Sequence, residues 1–233
     1  MLTSEFNLEG YHIFSHGLQN VSKRGLLIYT DITMDASHVD IPSAFCNSIF
    51  VSVKIVDQGS RILIGNIYHS PNSTQVNDEN LYQLLDYVDP NFKIPKLIVG
   101  DLNYRNINWY SVPGCGASAW CSGLSENEMA FVNSLRENLL LQHVVKPTRQ
   151  RGTDIPHILD LVLPSGDFVS EVDHLSPLGN SDHCVLKFSC ELHAEQSSTT
   201  IKYKLDKGDY EKLDDFFGYR LEQTSGSIYT HSR

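Results

Sequence analysis

The stretch Lys96 to Trp109, KLIVGDLNYRNINW, joins a run of aliphatic residues to an acid, Asp101, and an amide, Asn103. Positions two apart on an extended strand point to the same side, so the sequence sets a carboxylate and a carboxamide together where a strand ends. Other polar residues stand where a core would not put them. Asp160 lies within HILDLVLP, flanked by aliphatics, and a carboxylate buried without a partner costs several kcal/mol. Asp182 and His183 follow SPLGNS and open HCVLKF, and Tyr68 closes RILIGNIY just before the turn-forming HSPNS. Each has an ordinary explanation when taken alone. Asp and Asn favour strand-to-loop turns, Asp160 pairs with a structural cation, a single histidine is commonly structural, and a strand-end tyrosine is commonly core with its hydroxyl at the rim. Together they supply an acid that orients a histidine, a second acid beside it, and an acid and amide across a cleft. Those are the parts of a metal-assisted hydrolytic site.

Such side chains act together only if strands present them at one end. Short apolar, β-branched segments recur at 25–30 (GLLIYT), 48–56 (SIFVSVKIV), 61–68 (RILIGNIY), 96–100 (KLIVG), 157–163 (HILDLVL) and 183–190 (HCVLKFSC). Each has strand length and is bounded by Gly, Pro, Asn, Asp or Ser. VDQGS at 56–60 reads as a hairpin turn, which makes the segments on either side antiparallel neighbours. Two stretches carry a helical period instead. Over 77–88, Leu81, Leu84, Leu85 and Val88 fall on one stripe; over 125–145, Met129, Val132, Leu135, Leu139 and Leu140 do the same, with an end near Leu141. Ser125 followed by Glu128 is a capping box at the start of the second helix. The pattern predicts an α/β fold of mainly antiparallel sheets packed face to face, with helices outside.

The chain has 233 residues, 41% hydrophobic and 20% charged, which suits one globular domain over 1–192. Beyond it, 193–233 reads as a polar linker, a short helix and a loose tail. No apolar run approaches the ~18 residues that span a bilayer, and MLTSEFNLEG has neither the basic nor the apolar part of a signal peptide. The expectation is an intracellular protein, nuclear or cytoplasmic and not secreted, with no membrane association and a monomeric state. Cys46, Cys115, Cys121, Cys184 and Cys190 form no CxxC pair and read as free thiols. Cys115 and Cys121 in GCGASAWC could form a bridge or bind a metal. The formal charge of −10 disfavours a nucleic-acid partner by the usual rule, unless carboxylates gather at one end to hold a metal that meets the phosphate.

GDLNYRNINW, HILDLVL and PLGNSDHCVLKF resemble, in order, the GDxN, LDxx and SDH signatures of the endonuclease/exonuclease/phosphatase family, and IYHSPNS resembles its tyrosine-bearing strand end. FNLEGYHIF, RGLLIYT and KPTRQRGTDIPHILDLVLPS are most similar to the endonuclease domain of non-LTR retrotransposon proteins. IKYKLDKGDYEKLDDFF resembles the connection that precedes a reverse transcriptase there, and no reverse transcriptase follows in this sequence. The resemblance implies a four-layered α/β sandwich and Mg2+-dependent phosphodiester hydrolysis, with Mn2+ as a substitute ion and DNA as partner. On this chain it implies Asp182 as a metal ligand and His183 as the group that activates water or polarises the phosphate. It makes Asp160 the orienter of His183, Asp101 a proton carrier, Asn103 a positioning amide and Tyr68 a donor to a phosphate oxygen. Asn72 and Arg105 are expected to contact phosphates at the mouth of the site, and Lys146, Arg149 and Arg151 form a small basic cluster.

One departure from the family stands out. The glutamate that is its principal metal ligand normally precedes the GY segment, and MLTSEFNLEGYHIF begins just after that point, as though the first two strands were missing. Glu5 and Glu9 are the available substitutes. The intact motifs imply a DNA-nicking endonuclease; the missing glutamate implies an inactive remnant or a binding module. Phosphomonoester hydrolysis, as in a phosphoinositide phosphatase, is a third reading on the same fold, against which PTRQRGTDIPHILDLVL argues.

Overall fold

The computed structural model describes residues 7–17, 25–55, 59–112 and 116–192. The chain divides into two units, Met1–Ala194 and Glu195–Arg233, and every described residue belongs to the first. The linker, helix and tail expected over 193–233 therefore lie outside the described residues, as do Cys115 and most of the 56–60 turn. In chain order the elements are β1 (Tyr11–Gly17), β2 (Gly25–Asp31), β3 (Ala36–Val39), β4 (Ser48–Lys54), β5 (Arg61–Tyr68), α1 (Gln75–Asn91), β6 (Lys96–Asp101), β7 (Asn108–Val112), β8 (Gly116–Trp120), α2 (Glu126–Glu137), β9 (Asp160–Pro164), β10 (Asp173–Leu175) and β11 (Val185–Lys187).

The apolar segments build a five-stranded sheet in the order β3-β4-β5-β6-β9. β4 and β5 are antiparallel, as the turn between them predicts. β5 and β6 are parallel, so their connection must cross over the sheet, and α1 makes that crossing. Alternation along each strand then divides the core in two. From β5, Leu63 and Ile67 join one apolar cluster, while Ile62, Ile64 and Tyr68 join the other. The first cluster packs on α1 through Leu81, Leu84, Leu85 and Val88, and on α2 through Phe131, Val132 and Leu135. The second packs on Leu26 and Ile28 of β2, Phe14 of β1 and Leu186 of β11. Two antiparallel ribbons, β1-β2 and β10-β11, thus cover the face opposite the helices. Asn66 ties β5 to the first ribbon by donating to the Leu27 carbonyl at 3.2 Å.

The result is an α/β sandwich with helices, main sheet and ribbons in layers. Among the described residues both helices lie on one face, and no helix covers the ribbons. None of these helices is long and apolar enough to cross a membrane. Cys46, Cys121, Cys184 and Cys190 are free thiols.

α2 carries the capping box: Ser125 Oγ accepts from the Glu128 N–H, and Glu128 returns to the Ser125 N–H at 2.8 Å. It ends at Glu137, earlier than its apolar stripe predicts. Asn138 stops it, because its buried amide donates to Ser134 O at 2.9 Å and Asp86 Oδ1 at 2.7 Å. Leu139 then turns to φ 52°, and the Leu140 N–H reaches back to Leu135 O at 2.9 Å, the closure of a Schellman cap. Leu139 is consequently 69% exposed rather than part of the buried stripe, and Phe131 fills the core in its place.

Candidate active site

The strand registers bring three of the expected residues into one row. Tyr68 stands opposite Asp101 across the parallel β5-β6 pair, and Asp101 stands opposite Asp160 across the antiparallel β6-β9 pair. Leu97 and Val99 of β6, and Val162 of β9, pack in the ribbon-side cluster, so by alternation Asp101 and Asp160 face that same side. Tyr68 packs there too. Gly100 permits the approach: its φ is 148°, and a Cβ there would meet the Ile67 carbonyl oxygen at 1.8 Å.

His183 is delivered to this row from another part of the chain. Its Nδ1 lies 2.8 Å from Asp160 Oδ2. The segment around Thr148 holds both partners in place. Thr148 Oγ1 accepts from the backbone N–H groups of Leu159 and Asp160, both at 3.0 Å, while its carbonyl accepts from the Cys184 N–H at 2.8 Å. One buried threonine therefore sets the strand that carries Asp160 and the backbone next to His183.

The electrostatics follow from two acids facing each other. Burial, and then the Asp160 charge, push the Asp101 carboxyl up to about 6, against His183 and the Asn103 hydrogen bonds, which lower it. The hydrogen bond to Asp160 raises the His183 pKa; burial opposes it, and the charges of Asp160, Asp101 and Asp182 add to the rise. Asp101 Oδ1 is buried and has no hydrogen-bond partner among the described residues. Donor atoms of Asp101, Asp160 and His183 lie within 4.8 Å of one another. Two carboxylates, one with an unsatisfied buried oxygen, fit a hard divalent cation, and an imidazole in the set suits a transition ion such as Mn2+ as well. These three residues could hold a metal ion.

The remaining expected residues are placed as follows. Asn103 does not share the strand face of Asp101, because β6 ends at Asp101 and Asn103 has φ 54°. Its amide donates to the His69 carbonyl at 2.8 Å. Asp182 accepts from Arg149 Nε at 3.0 Å and is not one of the three clustered donors. Although burial works the other way, that bond and the Arg149 charge hold the Asp182 carboxyl below its ordinary value. Arg105, Arg149, Arg151 and His157 line one pocket, and the Arg105 carbonyl accepts from His157 Nδ1 at 3.0 Å. Lys146 is exposed, as are Asn72 and Glu9, and Glu5 lies outside the described residues.

Sequence reasoning missed Thr148 and His69. Thr148 stands in KPTRQ beside the basic residues, and no short-range pattern tells a threonine that it will accept two backbone bonds from eleven and twelve positions away. His69 follows Tyr68 inside a turn-forming run, where polar residues are ordinary. The signal that could have found it is the run's other half: a histidine at the end of a buried strand needs polar partners.

The sequence matches a protein family described as endonuclease-reverse transcriptase over residues 62–187. No match is found among curated proteins. Among solved structures, the endonuclease domain of TRAS1, a telomere-specific non-LTR retrotransposon, is similar at a TM-score of 0.59 and 15% identity, over 79% of this chain and 80% of that one. An AP endonuclease from Leishmania major is similar at 0.62 and 15% identity, over 82% and 73%. A mannosyl-6-phosphatase from Bacteroides thetaiotaomicron is similar at 0.53 and 13% identity, over 79% and 78%. At these identities the structural likeness is one of fold.

Proposed function

The chain belongs to the endonuclease-reverse transcriptase family, within the endonuclease/exonuclease/phosphatase fold, and from that premise we propose that it is a Mg2+-dependent endonuclease that nicks DNA by phosphodiester hydrolysis. The observation that carries the proposal is His183 bonded to Asp160 at 2.8 Å beside Asp101, whose pKa is raised to about 6.

Asp160 can only accept from His183 Nδ1 while it is a carboxylate, so that nitrogen carries hydrogen and Nε2 is left for an incoming group. The raised pKa of His183 favours the imidazolium, which donates from Nε2 to a non-bridging phosphate oxygen as its charge grows. Asp101 takes a proton from the attacking water. Tyr68, on the same row, donates to a second phosphate oxygen, and Asn103 positions the water or the phosphate. The carboxylates of Asp101 and Asp160 would hold a divalent ion, Mg2+ in this reading and Mn2+ in its absence, which would supply neutralisation of phosphate charge. Asp182 accepts from Arg149 through one oxygen, Oδ2, and we assign it to holding the guanidinium. The pocket of Arg105, Arg149 and Arg151 then receives flanking phosphates, a local basic footprint on an acidic protein.

A phosphomonoesterase reading draws on the phosphatase that shares the fold, and one assay separates the two. A DNA duplex with a labelled 5′-phosphate on one strand and a fluorophore on the other is incubated with protein and Mg2+. The proposal expects internal cuts with the terminal phosphate retained. Release of the terminal phosphate without internal cuts would establish the monoesterase instead.

A further inference from the structure

We propose that His69, locked by Asp78, is a positioning residue that sets Asp101 and Asn103 for the reaction. The inference rests on the nuclease reading of the site. His69 and Asp78 are each 4% exposed. His69 touches three consecutive residues at the end of β6. Its N–H donates to the Asp101 carbonyl at 2.9 Å, its ring Nδ1 lies 2.9 Å from the Leu102 carbonyl, and its own carbonyl accepts the Asn103 amide at 2.8 Å. A backbone carbonyl only accepts, so Nδ1 carries the hydrogen in that contact.

The other ring nitrogen, Nε2, lies 2.5 Å from Asp78 Oδ1. Asp78 Oδ2 in turn accepts from Asn127 Nδ2 at 2.7 Å. The ring is also fixed out of its plane, stacked on Tyr104 with centroids 4.8 Å apart, and Tyr104 stacks on Phe131 at 4.0 Å. α1 through Asp78 and α2 through Asn127 and Phe131 thus hold one imidazole. That imidazole holds the backbone from Asp101 to Asn103, including the left-handed φ of 54° at Asn103.

A buried polar network can also be purely structural, and the two roles differ in what they move. A structural role lowers the amount of folded protein and leaves each folded molecule equally fast. A positioning role lowers kcat in folded protein, because a small misplacement of a reacting group costs up to roughly a hundredfold, and leaves KM nearly unchanged.

The test is Asp78→Asn in the full chain, with nicking kinetics normalised to folded protein and with exchange of the Asn103 side-chain amide followed by NMR. We expect kcat to fall roughly tenfold or more, and the same change to add nothing in an Asn103→Ala background, the non-additivity of residues that act as a unit. We expect the Asn103 amide to exchange slowly in the wild type and fast in Asp78→Asn. Wild-type kcat with an unchanged Asn103 amide overturns the inference. If the wild type does not nick, the nuclease reading fails and the NMR arm decides alone: a protected Asn103 amide in Asp78→Asn overturns the positioning role. Should Asp78→Asn not fold, Asn127→Ser removes only the second support of Asp78 and is read in the same way.

Discussion

Asp160 is the residue on which the site turns, because it makes one bond to His183 at 2.8 Å and sits opposite Asp101. Asp160→Asn keeps the shape and removes the carboxylate. We predict that nicking falls by roughly a hundredfold or more, since the amide no longer fixes the tautomer. The stability effect has a sign. The folded pKa of His183 is raised, so its contribution is fully present below its ordinary value of 6.5 and is lost as pH rises through the raised one. Urea unfolding should therefore show the variant weaker than wild type near about pH 5, and nearly equal to it near about pH 8. Asp101 carries the opposite lesson. Its carboxyl rises from 3.8 to about 6, so the native state binds the extra proton between those values and stability falls as pH climbs through that window. Above it the penalty is complete, about 3 kcal/mol. Asp101→Asn avoids that penalty, so in EDTA it should be more stable than wild type near about pH 8 by up to that amount, about 3 kcal/mol, and inactive. An unfolding midpoint no higher than that of the wild type at that pH would contradict the raised carboxyl.

At the scale of elements, short apolar runs and the hairpin between β4 and β5 were legible, because alternation and turn residues are local. The stripe of α1 was legible for the same reason. The end of α2 was not: it depends on Asn138 reaching Asp86 of α1 at 2.7 Å, a contact that no window of α2 contains. Likewise the i, i+2 reading of Asp101 and Asn103 assumed a strand that continues, whereas it stops at Asp101 and the chain turns left-handed two residues later. The cap of α2 yields a prediction. Leu139 sits at φ 52° and 69% exposed, so it bears left-handed strain and buries little in return. Leu139→Gly should raise stability by about 1 kcal/mol, seen as a higher urea midpoint at unchanged slope. A lower midpoint would mean that the leucine packs in a way its exposure does not suggest.

For the molecule as a whole, ordered motifs in the sequence named Tyr68, Asp101, Asp160 and His183, and the topology explains why they meet. The first three lie on adjacent strands β5, β6 and β9 in one row, and Thr148 ties the fourth to the third. What stayed hidden was the support behind the row, since partners such as His69 and Asp78 are defined by crossing from strand to helix. A net charge of −10 argued against DNA only as an average. Arg105, Arg149 and Arg151 share a pocket, and Asp101, with its unpaired buried oxygen, lies close enough to Asp160 and His183 for the three to hold a cation.

We propose that this cluster hydrolyses DNA with a divalent ion. The most direct measurement is conversion of supercoiled plasmid to open circles by the full chain in Mg2+, run beside EDTA and beside His183→Ala at equal folded concentration. We expect nicking that EDTA abolishes and that the histidine variant loses by at least roughly a hundredfold. Folded protein that leaves the plasmid supercoiled, or a His183→Ala variant that nicks at the wild-type rate, would contradict it.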